Sequence, residues 1–254
     1  MPSSVFDPFE DFDTRGYLRN TQAEKDPAII KILEHELFRA QLPTALDFLS
    51  GVDYIGYEDF LKVHEILFQG LYPWAGQDRQ QVLSTRAVRK GDIYFCHPMD
   101  CRRAVEDGLR RAQALSQISA SPGFIMGMFA YGHPFLDGNG RTMLLVHAEL
   151  CFRAGMSIDW HRTEKGAYLE ALTRELDEPT AGHLDAYLKP FIGPVVKRET
   201  WLQAVTVMPG LDGAALAAEQ SPTYSDPAVV SDQKKFETRR NYRIGDEGFV
   251  PGDR

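Results

Sequence analysis

The residues whose types could do chemistry are concentrated in one run, His133-Pro134-Phe135-Leu136-Asp137-Gly138-Asn139-Gly140-Arg141. It holds an imidazole able to accept a proton, a carboxylate able to hold a hard cation, a Gly-Asn-Gly turn and a guanidinium. The apolar run Thr142–Leu150 follows at once and reads as a buried helix. Small residues opening onto a helix start make an anion site, because the first backbone N–H groups are unpaired and the helix dipole favours negative charge there. Singly, each residue has a plainer reading: a packed histidine, an Asp-Gly turn, a Gly-rich loop. Together and at short range they predict transfer of part of a nucleoside polyphosphate.

The run His133–Arg141 resembles the core motif of the Fic family, His-x-Phe-x-Asp/Glu-Gly-Asn-Gly-Arg. A second stretch, Val63 to Gly76 with Tyr72-Pro73-Trp74-Ala75-Gly76 at its end, is similar to the family's helix upstream of the active site. The resemblance covers roughly residues 25–194. It implies a mainly α fold, a Fic-type helical bundle with a small β-hairpin flap near the active site. It also implies an activity, the transfer of AMP from ATP to a hydroxyl of a target protein. On the matching positions, His133 would be the general base and Phe135 an inward structural anchor. Asp137 would bind Mg²⁺, Gly138, Asn139 and Gly140 would wrap the phosphates, and Arg141 would grip a phosphate oxygen. Ile93, Tyr94 and Phe95 would belong to the flap and dock an extended target segment. The family often carries a second arginine three positions beyond the first, where it meets the terminal phosphate. Leu144 stands there, so the expectation is that another cation does the job (Arg86, Arg89 and Lys90 are near in sequence), that a different donor is used to move a group such as UMP or GMP, or that ATP is held weakly.

Size and charge bound the partners. The chain has 254 residues, 28 basic against 36 acidic, and a net charge of −8. That argues against nucleic acid or an anionic membrane as partner. No apolar run approaches the length of a membrane span, and the first residues have no signal-peptide core. Three cysteines, Cys96, Cys101 and Cys151, make no disulfide framework or zinc pattern. A cytoplasmic location is expected, with delivery into a host cell left open.

Around the motif, hydrophobic periodicity predicts helices. One begins at Asp26-Pro27 with Ile29, Ile30, Ile32, Leu33, Leu37 and Phe38 inward, and another spans Tyr57–Gln69. A third covers Asp100 to about Ser116. The all-apolar Phe124–Tyr131 reads as the central helix leading into the motif. Further helices are expected over Glu164–Leu176 and Ala181–Phe191. Residues 77–98 change character: Val82, Val88, Ile93, Tyr94 and Phe95 are strand-prone about a turn at Arg89-Lys90-Gly91-Asp92. His147 reads as a satisfied core histidine. The division expected is 1–24 an N-terminal arm, 25–194 the Fic domain, and 195–254 a C-terminal extension, partly flexible, with Trp201, Leu202, Val205 and Val207 packed at its start.

Regulation offers a negative. An inhibitory helix of the Fic type needs Ser or Thr four residues before a glutamate, and no glutamate here has one; at Glu247-Gly248 the position holds Arg243. Inhibition, if any, is therefore expected from a separate antitoxin-like protein or from conditions of expression. Two other functions stand beside protein AMPylation: a Fic-type transferase using another phosphate-linked donor, and a toxin–antitoxin component acting mainly through partner binding.

Overall fold

Asp26 accepts a hydrogen bond from the backbone N–H of Ala28, and Pro27 follows at the first helical position, so the chain's first long helix starts where the sequence signals it. The structure is a computed structural model that describes residues 7–9, 16–83, 86–91, 93–206, 208, 223–225, 230–240 and 244. Its helices are α1 (Pro27–Gly51), α2 (Tyr57–Phe68), α3 (Arg79–Val82), α4 (Cys101–Ala112), α5 (Leu115–Ala120), α6 (Pro122–Gly132), α7 (Asn139–Arg153), α8 (Lys165–Asp177), α9 (His183–Leu188), α10 (Trp201–Thr206) and α11 (Val230–Arg240). Strands β1 (Ala87–Lys90) and β2 (Ile93–Tyr94) form the hairpin, with Arg89 opposite Tyr94. Strand β5 (Thr223–Ser225) joins the other side of β1. A separate pair, β3 (Met156–Ile158) with β4 (Ile192–Pro194), ties the end of α7 to the residues after α9.

Every residue of α6 is buried, as its all-apolar sequence requires. It packs among α4, α7, α8 and α9. Its N-terminus is closed by a distant group: the Asp185 carboxylate of α9 accepts from the N–H of Gly123 (2.6 Å) and Phe124 (3.2 Å). Burial raises that carboxyl to about 6. The far end of α6 delivers His133, whose left-handed backbone (φ 39°, ψ 56°) stops the helix and starts the motif loop.

The mainly α fold with a small flap is as the resemblance implies. Two expectations are corrected, and one pair of strands carries no earlier expectation. On α1 the buried stripe runs Ile30, Glu34, Phe38, Leu42, Ala45, Leu49, whereas Ile29, Ile32 and Leu33 are exposed. The helix is rotated from the most apolar face because Glu34 faces polar partners in the motif. Val82 is not in a strand but in the short helix α3, which Asp78 caps by accepting from Gln81 N–H. The pair β3–β4 was not foreseen, and Ile192–Pro194 had no strand signal beyond Ile192.

Of the N-terminal arm, Asp7 pairs with Lys25. The described parts of residues 195–254 return to the body: Trp201 and Val205 are buried, β5 pairs with β1, and α11 lies against α8 and β2. Asp92 of the expected turn, Val207, and residues 243, 247 and 248 lie outside the described residues. No helix among the described residues is long and apolar enough to cross a membrane.

Candidate active site

The motif loop is held shut from within and from three directions outside. Asn139 spans it: its Oδ1 accepts from Phe135 N–H (2.9 Å) and its Nδ2 donates to Phe135 O (2.8 Å). Phe135 itself is fully buried and stacks on His64 (3.7 Å between ring centres, 12° between planes) and on Phe60 (6.0 Å). His64 Nδ1 accepts from Gly76 N–H (2.9 Å), which leaves the proton on Nε2 to donate to Asp137 O (3.0 Å). Burial lowers this imidazole to about 3, so it is a neutral structural strut. Gly138 must be glycine. Its φ is +75°, and a Cβ there would lie 2.6 Å from the Phe68 ring.

Arg79 is the second brace. It is fully buried, and its Nε donates to His133 O (2.7 Å) while Nη2 donates to Cys96 O (2.8 Å) and Gly132 O (3.2 Å). Its own backbone N–H donates to Pro134 O (2.7 Å). One arginine thus clamps the end of α6, the start of the loop and the residue after the flap. This use of carbonyls suits a guanidinium, whose planar fork reaches several acceptors at once.

His133 lies under the flap. Its ring stacks on Phe95 (3.8 Å, 13°), its residue is 5% exposed, and its Nε2 has no hydrogen-bond partner among the described residues. Burial, with the fields of Lys90 and Arg79, pushes its pKa well below the ordinary histidine value, so the ring is neutral at physiological pH. A neutral imidazole with a free nitrogen is able to take a proton.

The anion side of the site is the start of α7. No side chain caps that helix, and a Cβ on Gly140 would meet nothing within 4 Å, so the backbone beside Gly140 is open. Asp137 accepts from Gly138 N–H (2.7 Å) through Oδ1 and from Lys31 Nζ (2.5 Å) through Oδ2. Burial alone would raise the Asp137 carboxyl, but the positive charges of Lys31 and Arg141 outweigh it and hold it well below the usual carboxylate range. Arg141 pairs with Glu34 of α1 and sits against the rings of Phe68 (4.8 Å) and Phe38 (5.7 Å). Glu34 also accepts from Tyr72 OH and from Lys31 Nζ (3.2 Å).

The structure therefore brings together His133, Phe135, Asp137, Gly138, Asn139, Gly140, Arg141 and Phe95. It assigns the Asn139 side chain to closing the loop, leaving only its backbone toward the helix start. Ile93 and Phe95 are buried and the Tyr94 ring meets that of Phe236 of α11 at a tilt (6.0 Å, 46°), so these three side chains serve packing more than an open docking surface. Leu144 is buried in the core. Of the cations named as its replacement, Lys90 is the one whose field reaches both His133 and Asp137. Sequence reasoning missed Lys31, Glu34, His64, Arg79 and Tyr72. Glu34 carried one signal, an acid on the i, i+4, i+8 row of Ile30, Phe38 and Leu42. Arg79 carried none.

A carboxylate already balanced by an ammonium, with no group of three His, Cys, Asp or Glu near it among the described residues, does not make a resident metal cage. It does fit Mg²⁺ held mostly by phosphate oxygens and water, which needs one or two carboxylates from the protein.

Comparison with known proteins points the same way. The family described as Fic/DOC matches residues 54–151. A probable protein adenylyltransferase of Sinorhizobium fredii is 29% identical over 131 residues, 47% of this chain and 65% of its own length. The protein adenylyltransferase VbhT of Bartonella schoenbuchensis is 27% identical over 190 residues, 70% of this chain and 37% of its own. The chain thus spans less than two thirds of these curated relatives. Among solved structures, the N-terminal Fic domain of a cell filamentation protein of Bartonella quintana with bound ADP superposes with a TM-score of 0.57 at 19% identity, over 72% of this chain and 92% of that one. BepC of Bartonella tribocorum with bound AMPPNP gives 0.54 at 17% identity, over 70% and 92%. The motif loop, the flap and the helical bundle are all in place around His133, and residues 54–151 of the chain are similar to the Fic/DOC family.

Proposed function

We propose that this chain is a protein nucleotidyltransferase that moves AMP from ATP to a Ser, Thr or Tyr hydroxyl of a target protein. One observation carries the reading: a neutral histidine with a free ring nitrogen, braced by Arg79, stands beside an uncapped helix start whose Gly140 face is open. The names of the curated relatives, protein adenylyltransferases, support the same reaction.

His133 Nε2 takes the proton of the acceptor hydroxyl as its oxygen bonds to the α-phosphorus. The bond from that phosphorus to the bridging oxygen breaks, and pyrophosphate leaves with the electron pair. The backbone N–H groups of residues 139–141 and the helix dipole stabilise the phosphate charge. Asp137 would hold Mg²⁺, whose contribution when bound is to neutralise phosphate oxygens. Lys31, now on Asp137, is close enough to serve the same anion, and its charge is secure: burial would lower its pKa, yet Asp137 and Glu34 raise it above the ordinary value. Arg141 adds a second positive charge but is tied to Glu34, so its part is to set the field more than to reach outward.

A second reading is favoured by Leu144: with the terminal-phosphate arginine replaced by a core residue, a donor other than ATP, such as UTP or GTP, is accepted. A separate antitoxin-like inhibitor and delivery into a host cell remain parts of the proposal that the Bartonella likeness supports only by analogy. The test is incubation of the chain with Mg²⁺ and each labelled nucleoside triphosphate in lysate. Label on protein from ATP, lost in His133→Ala, upholds AMP transfer. Label from another donor alone selects the second reading, and no label from any donor rejects both.

A further inference from the structure

The flap hairpin is gripped on both sides by one distant stretch of the chain. On β1, the Val88 carbonyl accepts from Phe95 N–H (3.0 Å), so the polar groups of Val88 face the β2 side. Backbone polarity alternates along a strand, so Ala87 and Arg89 turn theirs to the opposite side. There β5 lies antiparallel, Ser225 opposite Ala87, Tyr224 opposite Val88 and Thr223 opposite Arg89. On the β2 side, Gln233 of α11 donates to Phe95 O (3.1 Å) and the Phe236 ring meets Tyr94. Phe95 in turn covers His133. Residues 223–225 therefore fill the edge of β1, and residues 230–240 buttress the strand that lies on His133.

We infer that Thr223-Tyr224-Ser225 is a resident occupant of the outer edge of β1, a tethered competitor that an incoming extended target segment displaces from the flap. The inference rests on the transferase reading above, which requires a target strand near His133. An edge strand offers a row of backbone donors and acceptors to any extended chain. The resident puts Thr, Tyr and Ser, the three residue types a hydroxyl-modifying enzyme accepts, in three consecutive places on that edge. It is also short. Three residues of pairing make a weak strand, which is what a displaceable occupant needs. Its tether to the same chain gives it an effective concentration on the order of millimolar, enough to exclude weak targets and admit good ones.

The test uses the full chain and a fluorescein-labelled peptide with the sequence of residues 219–229. Thr223→Pro/Ser225→Pro removes two backbone donors from the resident strand, and Tyr224→Gly/Ser225→Gly weakens it without proline; melting curves check that each is folded. Both variants bind the peptide at least about tenfold more tightly than the unmodified chain by fluorescence anisotropy, and the backbone amides of Ala87 and Arg89 exchange faster in both until peptide is added. Peptide binding that is equal in all three chains overturns the inference, as does failure of the peptide to slow exchange at Ala87 and Arg89. Transfer of label to lysate proteins is read in parallel. Tighter peptide binding without transfer from any nucleotide keeps the displaceable occupant and defeats the transferase reading. Transfer that depends on His133 but is the same in both strand variants, with unchanged peptide binding, does the reverse.

Discussion

The motif loop and the flap meet at the stacked rings of His133 and Phe95, yet they are built in opposite ways. The loop is made by neighbours in sequence: Asn139 closes on Phe135, Asp137 on Gly138, and the next helix begins at once. Its outer braces are buried: His64 is neutral, Glu34 is paired with Arg141 and Lys31, and Arg79 is bonded to backbone carbonyls. The flap is two short strands completed by residues more than a hundred positions away, through β5 and α11. A site that must hold phosphates needs preorganised donors, because reorganising them during reaction would cost part of what they contribute. A site that must accept varied extended segments needs an edge that is readily vacated. If the proposed transferase reading holds, the difference teaches that the chemistry is placed in the rigid half and the choice of target in the replaceable half.

That contrast can be broken or sharpened by substitution. The largest effect is expected from His133→Ala, which lowers transfer roughly 10²–10⁴-fold while nucleotide binding by calorimetry stays near that of the unmodified chain. Next comes Glu34→Ala. It leaves Arg141 buried without its carboxylate and costs about 3–5 kcal/mol in denaturant unfolding, although no residue of the motif is changed. Gly138→Ala forces a side chain into a left-handed position against Phe68, and strain of this kind costs about 1–3 kcal/mol, read in the same assay.

Glu175→Gln tests the C-terminal side of the comparison. Glu175 is buried between α8 and α6, and desolvation raises its carboxyl to about 7 while Arg240 of α11 pulls it down. An acid whose folded pKa lies above its unfolded value binds more protons in the folded state. Its contribution therefore declines as pH rises from about 4.5 to about 7, and the amide removes that part of the slope, on the order of 2 kcal/mol. Stability curves at pH 5 and pH 8 check it; an unchanged slope rejects the assignment. The smallest effect on stability is expected at Gly140→Ala, within about 1 kcal/mol and of either sign, because its Cβ enters open space. The same change weakens nucleotide binding several-fold by obstructing approach to the helix start. If Gly138→Ala and Gly140→Ala behave alike in both assays, the division between a structural and a ligand-facing glycine fails.

Much of this was legible in sequence because the signals are local. Asp26-Pro27 marks a helix start by cap and fixed φ, the unbroken apolar run 124–131 forces a central helix, and the nine-residue motif carries its own turn. The axis of α1 was misread for a physical reason. Counting apolar residues favours Ile29, Ile32 and Leu33, but the helix turns to satisfy Glu34, since a buried acid without partners costs more than three exposed aliphatic side chains. Arg79 gave no pattern because its partners are backbone carbonyls, which every residue has.

By itself, then, the sequence determined which groups are gathered in the motif and in what local order, because loop closure, helix initiation and glycine conformations act over a few residues. Only the tertiary structure decided what covers the base, what balances Arg141 and Asp137, and which strand fills the flap. Those depend on elements distant in the chain being brought together, a matter settled by burial of the whole core and not by any short stretch.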